Sequence, residues 1–394
     1  MSHETIRGKT AIAGVGETTY YRWGKSPDSE FKLTLDAILA ACADAGLAPQ
    51  DLDGFASFSN DRNTPARLAS ALNVKELKHA SMVWGGGGGG GPGAVMNAAA
   101  AVASGLASAV VVYRGLAQGQ FQRFGRGGGS ATVSGELAFT HPYGVMVPAQ
   151  MYAMKFQRWM HENGGRGAAA QKAVSLTSYA HAQSNPRAVM AGRPLSSLKY
   201  DESRWIVEPW RLFDCCQEND GAAAVIVTTA DRARALDQTP AHILATSQGS
   251  DNRYEAWSHN APHYGSSNFR AAGPRLFESA GLKPRDVDVA QSYENFTGGV
   301  VMSLVEHGFC EAEEVDEFVS VENLSVGGGR LPLNTSGGNL AECYMHGMEL
   351  IVEGVRQLRG TAVNQVQDVN VSFVSSGPMV TPVSNLLMGS EDTL

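Results

Sequence analysis

Short apolar runs alternate with longer segments of helical period along this chain, and the order occurs twice. Thr10-Ala11-Ile12-Ala13-Gly14-Val15 reads as a strand, Leu33 to Ala45 as a helix, and Gly54-Phe55-Ala56-Ser57-Phe58 as a second strand. Further on, His242 to Ser247, Ala271 to Ala280 and Val289 to Tyr293 give strand, helix and strand again. The joins also match: Ala45-Gly46-Leu47-Ala48-Pro49-Gln50-Asp51-Leu52-Asp53 recurs as Ala280-Gly281-Leu282-Lys283-Pro284-Arg285-Asp286-Val287-Asp288, an offset of 235 residues. In each copy glycine stands where the helix stops and proline follows, the punctuation of a helix C-terminus. A second pair falls in the same order: helix Ala94 to Ser104 with strand Ala109 to Tyr113, against helix Met345 to Leu358 with strand Val369 to Phe373. Two ordered matches predict a duplicated α/β architecture, each half carrying a mixed sheet and buried helices.

The halves are expected at 1–240 and 241–394, with an insert in the first at about 115–201. The insert holds a glycine run, Gly125-Arg126-Gly127-Gly128-Gly129, then Met146, Met151, Tyr152, Met154, Phe156, Trp159 and Met160. Methionines and aromatics at helical spacing predict core packing on one face. The other face is a candidate wall for a large apolar substrate.

Composition narrows the function. A formal charge of -8, with no cluster of Lys and Arg, argues against nucleic acid as partner. The most apolar stretch, Ala94 to Val112, is broken by Asn97, Ser104, Gly105 and Ser108, so no membrane span is expected. The N-terminus lacks a basic-then-apolar signal, and no export is expected. The five cysteines, Cys42, Cys215, Cys216, Cys310 and Cys343, form no CxxC pair and have no histidine at metal-ligand spacing. They suit a reducing cytoplasmic setting and predict no metal site. Cys215-Cys216 reads as structural. Seven consecutive glycines, Gly85 to Gly91, could suggest a phosphate loop, but no Gly-Lys-Ser/Thr follows and Pro92 interrupts.

Several segments in order resemble the thiolase superfamily, specifically its sterol-carrier-protein-type thiolase branch, across essentially the whole chain. They are Gly85 to Gly93 before an Ala-rich helix, Asn185-Pro186, Asp220-Gly221-Ala222-Ala223-Ala224-Val225, Tyr293-Glu294-Asn295-Phe296, Asn334-Thr335-Ser336-Gly337-Gly338, and Ser375-Ser376-Gly377. The resemblance implies the thiolase fold: duplicated α/β halves in a layered αβαβα core with an inserted loop domain. It also shows what is missing. The position of the thiolase nucleophilic cysteine falls at about Gly88, that of the Gly-His-Pro histidine on Tyr344, and that of the second cysteine on Ser375. The first residue of the remaining catalytic loop falls on Tyr293. Acyl transfer through sulfur lacks its thiols and its imidazole at these positions.

Two tyrosines in two facing loops resemble the lipid-transfer-protein-type steroid aldolases. Those thiolase relatives cleave a 17-hydroxy steroid carrying a three-carbon CoA thioester into a 17-keto steroid and propionyl-CoA. The resemblance implies Tyr293 and Tyr344 as acid and base, without metal, Schiff base or separate cofactor. A free tyrosinate at neutral pH costs about 4 kcal/mol, which favours one phenol as donor and the other as a base within a hydrogen-bond network. Backbone N–H groups at Gly88 and Gly377 are the expected enolate donors, with Asn295 and Ser375 beside the substrate. Glu294, Cys343 and His346 are expected behind the tyrosines, His346 pointing away from Tyr344 if that segment begins a helix. The glycine run would let a ligand approach the backbone closely. A homodimer and an OB-fold domain of an acyl-CoA hydratase are the implied partners. A thiolase-type acyltransferase and a non-catalytic acyl-CoA-binding partner of a hydratase are the alternatives.

Overall fold

The structure is a computed structural model that describes residues 6–85, 87–121, 133–255 and 260–394; the glycine run 125–129 lies outside the described residues. In chain order the long strands are β1 Thr10–Glu17, β2 Gly54–Phe58, β3 His79–Val83, β4 Ala109–Ala117, β5 Asn219–Thr229, β6 Ala241–Gly249, β7 Val289–Ser292, β8 Val371–Ser375 and β9 Val383–Gly389. They share one sheet in the order β7-β8-β9-β6-β1-β5-β4-β2-β3, with the short strand Tyr21–Arg22 beside β5. The order β2-β4-β5-β1 in the first half is matched by β7-β8-β9-β6 in the second. The expected duplication is therefore present in topology.

It extends to single hydrogen bonds. Helix α1, Glu30–Ala45, ends at Gly46 in the left-handed region (φ 68°), and its counterpart Ala272–Ala280 ends at Gly281 (φ 65°). Asp53 then caps the start of β4, accepting the N–H groups of Ser108 and Ala109 at 2.9 Å each. Asp288 does the same at β8, accepting those of Asn370 and Val371 at 2.8 Å each. Each aspartate satisfies two backbone donors that the parallel strand start would otherwise leave open.

Helix α2, Gly91–Ala103, packs on β2 of its own half and on β6 and β9 of the other. Its small side chains let the backbone lie close to the strands of both halves, which is why the Ala-rich run forms a central layer. Helices α3, Pro148–Glu162, and α4, Ala168–Ser184, follow β4. Then come α5, the Ala272–Ala280 helix, and α6, Thr297–Glu306. Helix α7, Met348–Arg359, is the second central helix and packs on β7 and β8 of its own half and on β5 of the first. With α1 and α5 on the outer faces, the layers run αβαβα as expected.

Two boundaries moved. Strand β4 continues to Ala117, taking in Gly115 where the insert was expected to begin, because its ladder with β5 runs on to Asp220. Helix α7 begins at Met348 rather than Met345, because His346 and Gly347 are both left-handed (φ 53° and 85°). On α3, Met151, Tyr152, Phe156, Trp159 and Met160 are buried, while Met154 is exposed. Core packing accounts for the buried face: Phe156 stacks on Trp159 and Trp210 at 5.8 and 5.1 Å between ring centroids.

Candidate active site

Tyr293 directly follows β7, and Tyr344 lies in the loop between the one-turn helix Gly338–Ala341 and α7. The Asn334-Thr335-Ser336-Gly337-Gly338 segment fixes the first of these ends. Asn334 accepts the Ser292 N–H through Oδ1 and donates to the Ser292 carbonyl through Nδ2, both at 2.8 Å. The Tyr293 N–H donates to the Ser375 carbonyl at 3.2 Å, and the Tyr344 N–H to Asn219 Oδ1 at 2.9 Å. So held, the two phenols meet: Tyr293 Oη donates to Tyr344 Oη at 2.8 Å, with ring centroids 5.9 Å apart and the rings inclined at 62°.

Both rings are buried, at 1% and 8% exposure. Burial is the main cause that pushes each hydroxyl well above the usual phenol range, with the other phenol and Cys216 adding to the effect on Tyr293. For Tyr344 the hydrogen bond from Tyr293 works against burial. The pair is thus neutral, and charge on either ring is costly unless it is shared.

Glycine at position 88 is a volume requirement. A Cβ there would lie 2.1 Å from Tyr293 Cζ and 2.2 Å from its Oη. The Tyr293 ring fills the space in front of the α2 N-terminus where a side chain at 88 would stand. This corrects the expectation for one face of the run: where a side chain at Gly88 would stand, it admits Tyr293 and not a ligand. Gly377 also differs from expectation, since its N–H donates to the Gly88 carbonyl at 3.1 Å and is not free to hold an enolate.

Of the remaining predicted residues, Asn295 and Ser375 are bonded within the loops, and Glu294, Cys343 and His346 are buried around the two tyrosines. Asn295 donates to the Pro378 carbonyl and accepts the Phe296 N–H, both at 2.8 Å, so its amide pins the loop rather than facing a substrate. Ser375 Oγ donates to Ser292 Oγ at 2.9 Å across the ends of β7 and β8. Glu294 is fully buried, accepts the Asn339 N–H at 2.7 Å and the Ser178 hydroxyl, and burial pushes its carboxyl up to about 7. Cys343 is buried beside Tyr20 and Glu349, and burial raises its thiol well above the usual range. His346 does not point away: its segment is a loop, and its ring stands perpendicular to Tyr344 with centroids 5.0 Å apart. Burial, then the charges of Arg114 and Arg62, hold that imidazole far below its ordinary value, hence neutral.

Sequence reasoning missed four neighbours. Cys216, set aside as structural, lies near Tyr344, and burial pushes its thiol up to about 12. Tyr152 on α3 stands edge-on to Phe296 at 5.8 Å. Asn339 and Glu349 connect the two loops. Acids at 349 and 353, one helical turn apart within an apolar segment, were the available signal for Glu349. A pocket of about 390 Å³ has His346 in its lining, with Glu30, Asn60, Arg62, Arg114 and the backbone of Gly85 and Gly87, while neither tyrosine lines it. Lys155, buried on α3, donates to Tyr254 Oη at 3.1 Å and the Glu255 carbonyl at 2.9 Å, and burial lowers its ammonium to about 7.

Fold and site together define a thiolase-fold protein in which two buried phenols are hydrogen-bonded to each other. Residues 249–387 match the family described as thiolase C-terminal domain-like. The 17-hydroxy-3-oxo-4-pregnene-20-carboxyl-CoA lyase of Mycobacterium tuberculosis is 41% identical over 392 residues, 98% of this chain and 100% of that protein. A steroid side-chain-cleaving aldolase of Thermomonospora curvata is 40% identical over 394 residues, 98% of this chain and 99% of that one. The solved structure of an Ltp2-ChsH2(DUF35) aldolase superposes with a TM-score of 0.90 at 38% identity, covering 99% of this chain and 100% of that chain. The chain belongs to the steroid side-chain-cleaving aldolases of the thiolase superfamily.

Proposed function

We propose that the protein is a carbon–carbon lyase that cleaves the side chain of a 17-hydroxy steroid acyl-CoA by a retro-aldol reaction, giving a 17-keto steroid and propionyl-CoA. The observation that carries this reading is the 2.8 Å hydrogen bond between two buried phenols, placed where residue 88 has no side chain. In the reaction the substrate hydroxyl loses its proton and becomes the ketone. The carbon–carbon bond breaks, and its electron pair passes to the carbon next to the thioester. That carbon then takes up a proton. No net proton enters or leaves, so two linked phenols suffice: one accepts as the other donates. Because burial raises both hydroxyls, transfer through the pair in concert avoids a free tyrosinate, which costs about 4 kcal/mol even in water at neutral pH.

On this reading Gly88, buried within the turn Gly87–Gly90, offers backbone donors to the enolate, while Asn295, Ser375 and Glu294 hold the tyrosine loops. The CoA moiety arrives with the substrate, and the reaction uses no separate cofactor, metal or Schiff base. A second copy of the chain pairs across the outer edge of β3, the strand that ends the sheet in the first half. The second partner is the OB-fold domain of an acyl-CoA hydratase; that the solved aldolase of similar structure is an Ltp2-ChsH2(DUF35) aldolase supports a second kind of chain beside this one. Five free thiols fit a reducing, cytoplasmic setting.

Incubation with 17-hydroxy-3-oxo-4-pregnene-20-carboxyl-CoA should release ketone and propionyl-CoA in equal amounts, and hydroxylamine should trap no acyl-enzyme. A hydroxamate, or acyl transfer to free CoA, would favour the acyltransferase instead.

A further inference from the structure

Glu349 is almost fully buried, in the first turn of α7 and five residues after Tyr344. Its Oε1 accepts a hydrogen bond from Asn339 Nδ2. Asn339 Oδ1 accepts the N–H of Glu294, the residue after Tyr293, at 2.9 Å. Because a backbone N–H fixes Oδ1, the orientation of the amide is settled, and so is Oε1 as the acceptor. Glu349 Oε2 is buried and has no hydrogen-bond partner. One carboxyl therefore reaches from the Tyr344 side, through one amide, to the backbone beside Tyr293.

We propose that Glu349 is a positioning residue of the reaction: through Asn339 it holds the Tyr293 loop in register with the Tyr344 loop. The inference rests on the reading of the two tyrosines as the proton-transfer pair. The carboxyl acts in its neutral form, with its proton on the unpartnered Oε2. The titratable groups that face it are Tyr20, Tyr293, Glu342, Cys343 and Tyr344, and none of these is a cation. An ionised carboxylate there would be a buried charge facing no cation, and the nearby N–H groups of Met345, Gly347 and Glu349 itself offset only part of that cost. Burial accordingly pushes Glu349 up to about 8. Once ionised, its charge would raise both phenols further and oppose the proton transfer. Turnover should then fall as pH rises through that value.

The test is kcat and KM from pH 6 to 9.5 for the parent, Glu349→Gln and Glu349→Ala on the full chain, with Tyr293→Phe and Tyr344→Phe alongside. Gln copies the neutral acid, with an acceptor at Oε1 and a donor at Oε2. It should keep kcat at pH 7 within about threefold while the alkaline fall moves upward by more than about half a unit. Ala should lower kcat about tenfold or more with KM little changed. Should Glu349→Ala fail to fold, the displaced alkaline limb of Glu349→Gln decides the matter, because a purely structural role would leave that limb in place. Loss of activity in the tyrosine variants combined with a parent-like pH profile in Glu349→Gln overturns this inference alone. Full activity in the tyrosine variants overturns the reading beneath it.

Discussion

Gly88→Ala puts one methyl group into the space occupied by the Tyr293 ring. The new Cβ would sit 2.1 Å from Cζ, against about 3.5 Å for carbon atoms in contact, so the ring has to move by about 1.4 Å. It has little room. A Cβ at Gly347 would lie 2.8 Å from Tyr293 Cδ2, and one at Gly377 would lie 3.4 Å from Cε1, which marks those backbones as the walls of the ring's slot. A shift of that size breaks a 2.8 Å hydrogen bond, and overpacking of a filled core costs about 1–3 kcal/mol. Misplacement of a reacting group by about 1 Å costs about 10²-fold in rate. The expected outcome is therefore a lower Tm by calorimetry, and kcat reduced about 10²-fold. In the double variant Gly88→Ala/Tyr293→Ala the Tm cost of the methyl should largely disappear, since the ring it strikes is gone, while activity stays low. Parent Tm and parent kcat in Gly88→Ala would show that the ring does not occupy this space.

Two further outcomes follow from particular residues. Borohydride with the ketone product should not label Lys155, although its ammonium is lowered to about 7; mass-spectrometric detection of a reduced adduct there would establish Schiff-base chemistry. If two copies pair across β3 as proposed, Ala80→Arg at the exposed position of that strand should give monomers in light scattering, because a charge at an edge opposes strand pairing; an unchanged mass would place the interface elsewhere.

The duplicated architecture was legible because its signals are local: an apolar period, a left-handed glycine after each helix, and an aspartate capping the strand beyond. Tyr293 and Tyr344 were legible through motif positions alone, since nothing in spacing says that residues 51 apart share a hydrogen bond. The surroundings were less so. The direction of His346 depends on a left-handed backbone at a non-glycine residue, a conformation L-residues seldom adopt. The Gly377 N–H was expected to be free, but the Gly88 carbonyl takes it, a pairing between distant segments that no local pattern encodes. Glu349 and Asn339 meet through tertiary packing, and the sequence shows only an acid in an apolar run.

The central claim is that two hydrogen-bonded phenols carry the proton through the cleavage. Its most direct test is retro-aldol turnover by Tyr293→Phe and Tyr344→Phe, each checked for a native circular dichroism spectrum. Each should fall by about 10²-fold or more with the fold retained. Parent-level turnover in both folded variants would contradict the account.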